Sequence, residues 1–355
     1  MHYGSNVVTH NPLANDLDHI FLHTEEYWEE LRNQHIFMTG GTGFFGCWLL
    51  ESFLRANEQL RLNASVSVLS RNVDNFKKKA PHIAGHPAVQ LYFGDVRNFT
   101  FPAGTYSYVI HVYNEAADYI NVKNFSLVTD AIIQAAKHTL EFSRYCEARK
   151  FLFTSSGSVY GIQPVGMKNI PEEYQGCHGG NDFRSAHGKG KHGAEKLCME
   201  YYAEYGLETK IARCFTFIGP YLPLNSNYAA GNFIGDGLNG GPIFVKGDGT
   251  QYRSYLYAAD LAVWLWTILF KGKTLCPYNV GSMESITIGE LAKRISVAFS
   301  WPVEVIVAKK PAPGQKYELY IPDTQRAEKE LNLCQWISLD EGIERTIKWH
   351  KRQGS

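Results

Sequence analysis

The sequence lacks the features that would indicate nucleic acid or a membrane as a partner. Its 35 lysines and arginines balance its 35 aspartates and glutamates over 355 residues. No net positive charge is therefore available to hold a phosphate backbone or an anionic lipid surface. The most apolar run, residues 254–270, is too short to span a bilayer and contains Asp260. We therefore expect no nucleic acid and no membrane among the partners.

Paired cysteines and metal-ligand spacings are also missing. The seven cysteines are an odd number, lie far apart and include no C-x-x-C pair, which argues against a disulfide framework. The first sixteen residues contain no apolar segment of the kind found in a secretory signal. These absences predict reduced thiols and a cytoplasmic protein. The densest histidine set is His178, His187 and His192, but His187 and His192 are five residues apart, so no metal site is predicted.

What the sequence does contain is an alternation of short apolar strands and longer helices. Strands are predicted at 35–39, 66–69, 89–93, 108–112, 150–154 and 209–213, and helices at 44–56, 124–147 and 185–205. This order predicts an α/β fold, a doubly wound parallel sheet (Rossmann) with helices on both faces.

Three segments are predicted along the chain. Residues 1–33 form an N-terminal appendage with a helix from Thr24 to Gln34, started by a threonine cap. Residues 34–215 form the dinucleotide-binding domain. Residues 216–355 form mainly a smaller sugar-nucleotide-binding lobe, with about 252–270 returning to the first domain. In the lobe we expect strands near 243–245 and 304–307 and a helix near 288–299.

A glycine-rich turn joins the first predicted strand to the first helix. Gly40 permits a tight turn, Gly43 lets backbone N–H groups approach a pyrophosphate, and Gly46 permits close packing of helix on strand. This context is typical of a dinucleotide site. The residues predicted to bind the cofactor here are Gly40, Thr42, Gly43, Phe44, Phe45 and Gly46.

The end of the second strand indicates which cofactor is preferred. A carboxylate there would accept a hydrogen bond from the ribose 2′-OH, but the strand ends in Ser70-Arg71 without an acid. We therefore expect NAD(P), with a preference for NADP and with Arg71 as the phosphate partner. Asp95 and Val96, after the third strand, are predicted to meet the adenine.

The motifs taken together resemble one family. They are the Gly40/Gly43/Gly46 turn, Gly94-Asp95, Ser155 to Gly161, Lys191 with Ala194-Glu195, Arg213 with Gly219-Pro220, Gly247 to Arg253, Asp260 and the segment 323–342. Over residues 34 to about 345 the chain resembles an extended short-chain dehydrogenase/reductase of the NAD-dependent epimerase/dehydratase family, which modifies nucleotide-linked sugars.

The resemblance implies a set of catalytic residues with one departure. Ser156 matches the Ser or Thr that hydrogen-bonds the reacting sugar oxygen, and Lys191 matches the lysine that holds the cofactor ribose. The family's catalytic tyrosine lies one helical turn before that lysine, where this chain has His187. Tyr113 stands where relatives have a small residue beside the cofactor. Either His187, whose imidazole ordinarily titrates near neutral pH, or Tyr113 is expected to move the proton.

The resemblance also implies substrate-binding residues. Thr216 replaces a sugar-contacting asparagine, and Asn232 and Arg253 match the pair that meets the nucleotide's diphosphate. Sugar dehydratases of the family have an Asp-Glu pair at Gly157-Ser158, and decarboxylases have a glutamate at Ser158, so those activities lack their usual carboxylates here.

Together these residues predict a nucleotide-sugar epimerase or 4-ketoreductase. It would use bound NAD(P) and reversible hydride transfer, with a nucleotide-diphosphate sugar as substrate. The alternatives are a 4,6-dehydratase or decarboxylase-like enzyme, and a catalytically impaired protein that binds sugar nucleotide. The resemblance and the two long predicted helices further imply a homodimer through a four-helix bundle.

Overall fold

The computed structural model describes residues 11–113, 125–176, 182–226, 228–301, 303–312, 314 and 317–353. Its strands are β1 (His35–Thr39), β2 (Ser65–Ser70), β3 (Val89–Phe93), β4 (Tyr108–His111), β5 (Lys150–Ser156), β6 (Glu208–Cys214), β7 (Phe217–Ile218), β8 (Ile243–Val245), β9 (Tyr252–Ser254), β10 (Leu256–Tyr257), β11 (Pro277–Val280), β12 (Ser285–Thr287), β13 (Val305–Val307) and β14 (Leu319–Tyr320).

The described helices cover both faces of the main sheet and part of the smaller lobe. They are α1 (Ala14–Thr24), α2 (Phe44–Leu60), α3 (Val73–Lys79), α4 (Pro81–Ala84), α5 (Ser126–Tyr145), α6 (Phe183–Tyr205), α7 (Ala229–Leu238), α8 (Ala258–Lys271), α9 (Ile288–Val297), α10 (Gln325–Leu331) and α11 (Leu339–Gln353). Two 3₁₀ segments, Glu25–Leu31 and Gly157–Tyr160, complete the regular structure.

The main sheet has seven parallel strands in the order β3-β2-β1-β4-β5-β6-β11. The order reverses between β1 and β4, and the carboxyl ends of the strands at such a point form a ligand-binding crevice. The predicted doubly wound fold is therefore confirmed. The six predicted strands are found within two residues of their predicted bounds, and β11 is an additional strand.

Alternate residues of the central strand β1 enter two separate hydrophobic cores. Ile36 and Met38 lie in the core formed with α2 and α8, whereas Phe37 lies in the core formed with α5 and α6. Side chains of a strand point alternately to opposite faces, so a strand buried on both faces must be apolar throughout. This explains why the middle of β1 is a continuous apolar run.

The prediction of a helix from Thr24 to Gln34 is wrong. Thr24 ends α1 instead of capping a new helix, because its hydroxyl donates to the Ile20 carbonyl at 2.6 Å and accepts from Trp28 Nε1 at 2.9 Å. The residues after it form the 3₁₀ segment. Trp28 is fully buried, and its ring lies 4.7 Å from that of Trp266 in α8. This N-terminal segment thus packs into the core of the main sheet's helical layer.

The smaller lobe is built from short strands and two helices. Strands β8 and β13 pair with each other, and β9 pairs with both β12 and β14. Helix α9 begins with a capping box between Thr287 and Glu290, and it ends two residues before its predicted end. The pairing of β14 with β9 brings a segment from the end of the chain to the crevice.

Residues 258–270 of the apolar run form most of α8, and their side chains are buried on all sides. Asp260 accepts from the backbone N–H groups of Trp336 and Ile337 at 3.0 Å and contacts His19 Nε2 at 2.9 Å. This carboxylate joins the N-terminal helix, α8 and the C-terminal segment. Across the described ranges, no helix has the length and hydropathy needed to cross a membrane.

Candidate active site

The glycine turn after β1 has the shape that a pyrophosphate site requires. Gly40 has φ +73°, and a Cβ atom there would lie 2.7 Å from the backbone nitrogen of Tyr113. A Cβ at Gly46 would lie 2.3 Å from the Gly41 backbone, so only glycine fits. Helix α2 begins after Gly43, which has no side chain to cap its first N–H groups. Those N–H groups remain available to an anion, so the turn fits a dinucleotide.

The end of β2 forms a small cavity with cationic and hydroxyl groups. Arg71 and Lys79 both line it, with Thr42, Ser70, Asn72, Asn75 and Phe76. Lys79 Nζ donates to the Thr42 carbonyl at 3.0 Å, which draws α3 toward the glycine turn. Asn72 accepts from Asn75 N at 2.9 Å and caps α3. The sequence predicted Ser70 and Arg71 here but missed Lys79, for which the Lys77–Lys79 run was the available signal.

Asp95 lies at the predicted position after β3, but its carboxylate already has a partner. Arg97 donates to it with Nε at 2.9 Å and Nη2 at 2.7 Å. Hydrogen bonds from this guanidinium lower the pKa of Asp95 to about 2. Val96 is buried in the core beside it. A ligand that reaches Asp95 would therefore contact a carboxylate whose charge is already balanced by Arg97.

Tyr113 follows β4, and its backbone and its ring contact different parts of the crevice. Its carbonyl oxygen accepts a hydrogen bond from Lys191 Nζ at 3.2 Å. Its ring, however, lies with its centroid 5.9 Å from the guanidinium carbon of Arg71 and 6.3 Å from the His111 ring. The phenol therefore extends toward the end of β2, where an adenosine would lie.

A chain of hydroxyl groups runs from the end of β5 to α6. Ser156 Oγ accepts from the Ser158 N–H at 3.1 Å and lies 2.9 Å from Ser158 Oγ. Ser158 Oγ in turn lies 2.9 Å from His187 Nδ1. The 3₁₀ turn places both serines under α6. The structure thus brings together Ser156 and His187, two residues predicted to be catalytic.

His187 does not keep the ordinary imidazole pKa that the sequence analysis assumed. It is 8% exposed, and burial together with the nearby charge of Lys191 lowers its pKa to about 3. The imidazole is neutral at physiological pH. Lys191 is also buried, and its Nζ donates to the Thr154 carbonyl at 2.9 Å. The ammonium group is therefore held at the carboxyl ends of β4 and β5.

A buried ion pair fixes the serine turn from behind. Arg213 binds Glu195 through two hydrogen bonds, of 3.0 and 2.7 Å, and Ser155 Oγ donates to the same carboxylate at 2.5 Å. Arg213 also donates to the Tyr160 hydroxyl at 2.9 Å. These contacts give Arg213 a structural role next to the site.

The predicted substrate residues occupy the opposite wall. Thr216 Oγ1 is buried and has no hydrogen-bond partner among the described residues. Asn232 Oδ1 accepts from Ser226 N at 3.1 Å, which holds the loop before α7. Arg253 forms an ion pair with Glu318 at 2.8 Å. A diphosphate would have to compete with that carboxylate for Arg253.

Two residues that the sequence analysis missed lie close to this wall. Arg184 of α6 pairs with the same Glu318 at 2.7 Å. The Tyr320 ring lies 4.6 Å from the Arg184 guanidinium carbon and 5.9 Å from that of Arg253. Tyr320 reaches the site only because β14 pairs with β9, opposite Arg253. No local motif marks such a pairing.

Asn124, the predicted start of a helix, and His178 fall outside the described residues. Within the described ranges, no group of three His, Cys, Asp or Glu side chains could hold a metal ion.

The comparisons with a family model and with known proteins agree on one family. The family model described as the NAD dependent epimerase/dehydratase family matches residues 36–281. UDP-glucuronic acid decarboxylase 6 of Arabidopsis thaliana is 27% identical over 315 residues, which cover 88% of this chain and 87% of that protein.

Solved structures show the same fold. The UDP-glucose 4-epimerase of Thermotoga maritima, solved with UDP-glucose, aligns with a TM-score of 0.75 and 22% identity over 91% of this chain and 100% of the other. The UDP-glucuronic acid 4-epimerase of Bacillus cereus, solved with UDP-glucuronic acid and NAD, aligns with a TM-score of 0.73 and 21% identity. The alignment covers 90% of this chain and 100% of that protein. The family model spans more than half of the chain, and the predicted resemblance is confirmed: this protein belongs to the NAD-dependent epimerase/dehydratase family.

Proposed function

We propose that this protein is a nucleotide-sugar epimerase or 4-ketoreductase that works through bound NAD(P). One observation carries the proposal. The glycine turn at α2, the ammonium group of Lys191 and the hydroxyl of Ser156 lie along the carboxyl edge of one parallel sheet. A dinucleotide bound at that edge places its nicotinamide between the lysine and the serine. The named relatives, which act on UDP-sugars, support this assignment.

Each residue has a defined role in the proposal. When bound, the nicotinamide ring accepts a hydride from the sugar carbon or returns it. Lys191 holds the ribose hydroxyls, and Ser156 orients the reacting sugar oxygen. Arg253 and Asn232 hold the diphosphate, and Thr216 Oγ1 offers a free hydrogen-bonding group to the sugar. Of the two proton carriers considered from sequence, His187 touches the serine chain, whereas the Tyr113 ring extends toward Arg71.

NADP is the proposed cofactor. Arg71 and Lys79 line one cavity at the end of β2, beside the Ser70 hydroxyl. A 2′-phosphate there would gain two cationic partners, and no described carboxylate lines the cavity to favour a ribose hydroxyl instead.

A cytoplasmic homodimer is part of the proposal. Apolar side chains are exposed along α5 and α6, the two helices that would form a four-helix bundle: Leu127, Tyr145, Met199, Tyr202 and Tyr205. The six described cysteines are unpaired, as expected in a reducing compartment. Sedimentation would measure the assembly state, and a monomer at micromolar concentration would contradict the dimer.

The proposed activity can be tested with purified protein. The protein would be incubated with NAD⁺ or NADP⁺ and with UDP-glucose, UDP-glucuronic acid or dTDP-glucose. The 4-keto derivatives of these sugars would be tested with NADH and NADPH. NMR would identify the product, and nicotinamide absorbance would follow the redox step. A C4 epimer or a reduced 4-ketone supports the proposal. A 4-keto-6-deoxy product or released CO₂ would favour the dehydratase or decarboxylase alternative, and tight binding without turnover would favour the binding protein.

A further inference from the structure

The phenol of Tyr320 occupies the space directly over the serine turn. A Cβ atom at Gly157 would lie 2.6 Å from the Tyr320 hydroxyl oxygen and 2.7 Å from a Phe215 ring carbon. A side chain at position 157 would therefore require the Tyr320 and Phe215 rings to move. The Tyr320 hydroxyl lies beside the residue that directly follows Ser156 in the chain. A phenol thus reaches the reaction site from the smaller lobe, through a segment distant in sequence from α6.

We propose that Tyr320 is the residue that exchanges a proton with the sugar oxygen oriented by Ser156. This inference rests on the proposed function, and it assigns the acid/base to a residue other than His187 and Tyr113. The position that usually carries the phenol is occupied by an imidazole, and a phenol from β14 lies beside Gly157, between the two serines of the hydroxyl chain in sequence.

The hydrogen-bond chain supports this division of roles. The Ser158 N–H donates to Ser156 Oγ, so one acceptor position of that hydroxyl is already used. When the neutral His187 donates from Nδ1 to Ser158 Oγ, the Ser158 hydroxyl donates to Ser156 Oγ. Both acceptor positions of Ser156 Oγ are then used, so its own proton must point outward. It then donates to the sugar oxygen or to the phenol oxygen. The imidazole orients the serines, and Tyr320 carries the proton.

The charged groups around Tyr320 are consistent with a general acid. Burial raises the pKa of the Tyr320 phenol, and the thiol of Cys214 adds a small effect in the same direction. The guanidinium groups of Arg184 and Arg253 lower it in part, and Glu318 pairs with both of them. The phenol is therefore protonated at neutral pH. A protonated phenol is suited to reduction of a ketone.

Tyr320 supplies the proton in the reduction of a ketone. A bound reduced nicotinamide would supply the hydride that forms the new C–H bond at the carbonyl carbon, and the π electrons of the C=O bond would move to oxygen. The Tyr320 O–H bond breaks, its proton joins that oxygen, and a phenolate remains. Solvent then returns a proton to the phenolate. Oxidation of the alcohol follows the same path in reverse.

The test compares Tyr320→Phe with Tyr317→Phe in the full-length enzyme. Tyr317 is exposed and lies on the same segment, so its variant controls for general effects on the lobe. With NADPH and a UDP-4-ketohexose, we expect kcat of Y320F to fall about 100-fold or more, with KM and the NADPH dissociation constant nearly unchanged. Y317F should retain wild-type turnover. In the wild type, kcat should fall at high pH as the phenol loses its proton, and Y320F should lack that limb.

A second variant keeps the aromatic ring and changes only its acidity. Incorporation of 3-fluorotyrosine at position 320 lowers the phenol pKa, so the high-pH limb should shift to lower pH. Full turnover in Y320F, or an unshifted limb with 3-fluorotyrosine, would overturn the assignment while leaving the proposed function intact. Absence of turnover by the wild-type enzyme with every sugar tested would overturn both.

Discussion

The cofactor half and the substrate half of the crevice are constructed differently. The cofactor half relies on backbone groups, as in the Gly40–Gly46 turn and the two backbone carbonyls that hold Lys191. The substrate half uses side chains from distant segments, with Glu318 joining Arg184 to Arg253. Backbone geometry tolerates few substitutions, so we expect the cofactor half to vary little. The substrate half depends on side chains, so one acid/base residue can replace another there.

The largest effect should come from removing the ammonium group at the junction of the two halves. Lys191→Met keeps the length of a buried side chain but loses its charge and its hydrogen bonds to Thr154 and Tyr113. We expect turnover to fall about 1000-fold, within the range of an acid/base contribution, as measured by steady-state kinetics. Lys189→Met, on an exposed position of the same helix, is the control. Comparable rates in the two variants would place Lys191 outside the reaction.

A smaller effect should separate the two nicotinamide cofactors. Arg71→Ala and Lys79→Ala each remove a cation from the cavity at the end of β2. Since a charge-assisted hydrogen bond contributes about 1.5–3 kcal/mol, each variant should bind NADPH about 10- to 100-fold more weakly, with NADH binding unchanged. Calorimetry measures both affinities, and Lys77→Ala on the same helix is the control. Equal losses for NADPH and NADH would argue against a 2′-phosphate site.

The neutral imidazole of His187 should make the free energy of unfolding depend on pH. The pKa of His187 is lowered to about 3 in the folded protein, whereas the unfolded chain binds a proton near the ordinary value of 6.5. The free energy of unfolding should therefore decrease as pH falls from 6.5 toward 3.

His187→Gln keeps a hydrogen-bonding group near Ser158 but does not titrate. Its unfolding free energy, measured by chemical denaturation, should depend less steeply on pH, by up to about 1.4 kcal/mol per pH unit. His111 and His350 also have lowered pKa values, so part of the slope should remain. Parallel curves for the variant and the wild type would show that His187 is charged or solvated.

The smallest effect is expected at Tyr113. Its ring extends toward Arg71, away from the serine chain, so Tyr113→Phe should change turnover by no more than about twofold. A loss of two orders of magnitude in a steady-state assay would restore Tyr113 as the proton carrier. This variant therefore complements Tyr320→Phe, because the two results together assign one phenol to each half of the crevice.

The sequence was sufficient for the parts of the molecule that depend on local pattern. Apolar runs predicted the strands, and the Gly40, Gly43 and Gly46 spacing predicted the turn, because strand burial and tight turns restrict which residues are possible. The same reasoning failed at Thr24, whose hydroxyl bonds back to Ile20 and ends a helix it was expected to start.

Residues that act through tertiary pairing were beyond prediction from sequence. Tyr320 belongs to a two-residue strand with no motif of its own, and its register with Arg253 brings it beside Gly157. The pKa of His187 likewise depends on burial by neighbours that are distant in sequence. Chemistry that relies on such contacts requires the folded structure.

The lack of space at Gly157 also constrains how this enzyme can diverge. Any side chain at that position would collide with the Tyr320 hydroxyl and the Phe215 ring. A lineage that acquires a carboxylate at 157 is therefore expected to change the side chain at 320 as well, and the Phe215 ring must move away. Substitutions at these two positions, 163 residues apart in sequence, are expected to exchange together among its descendants.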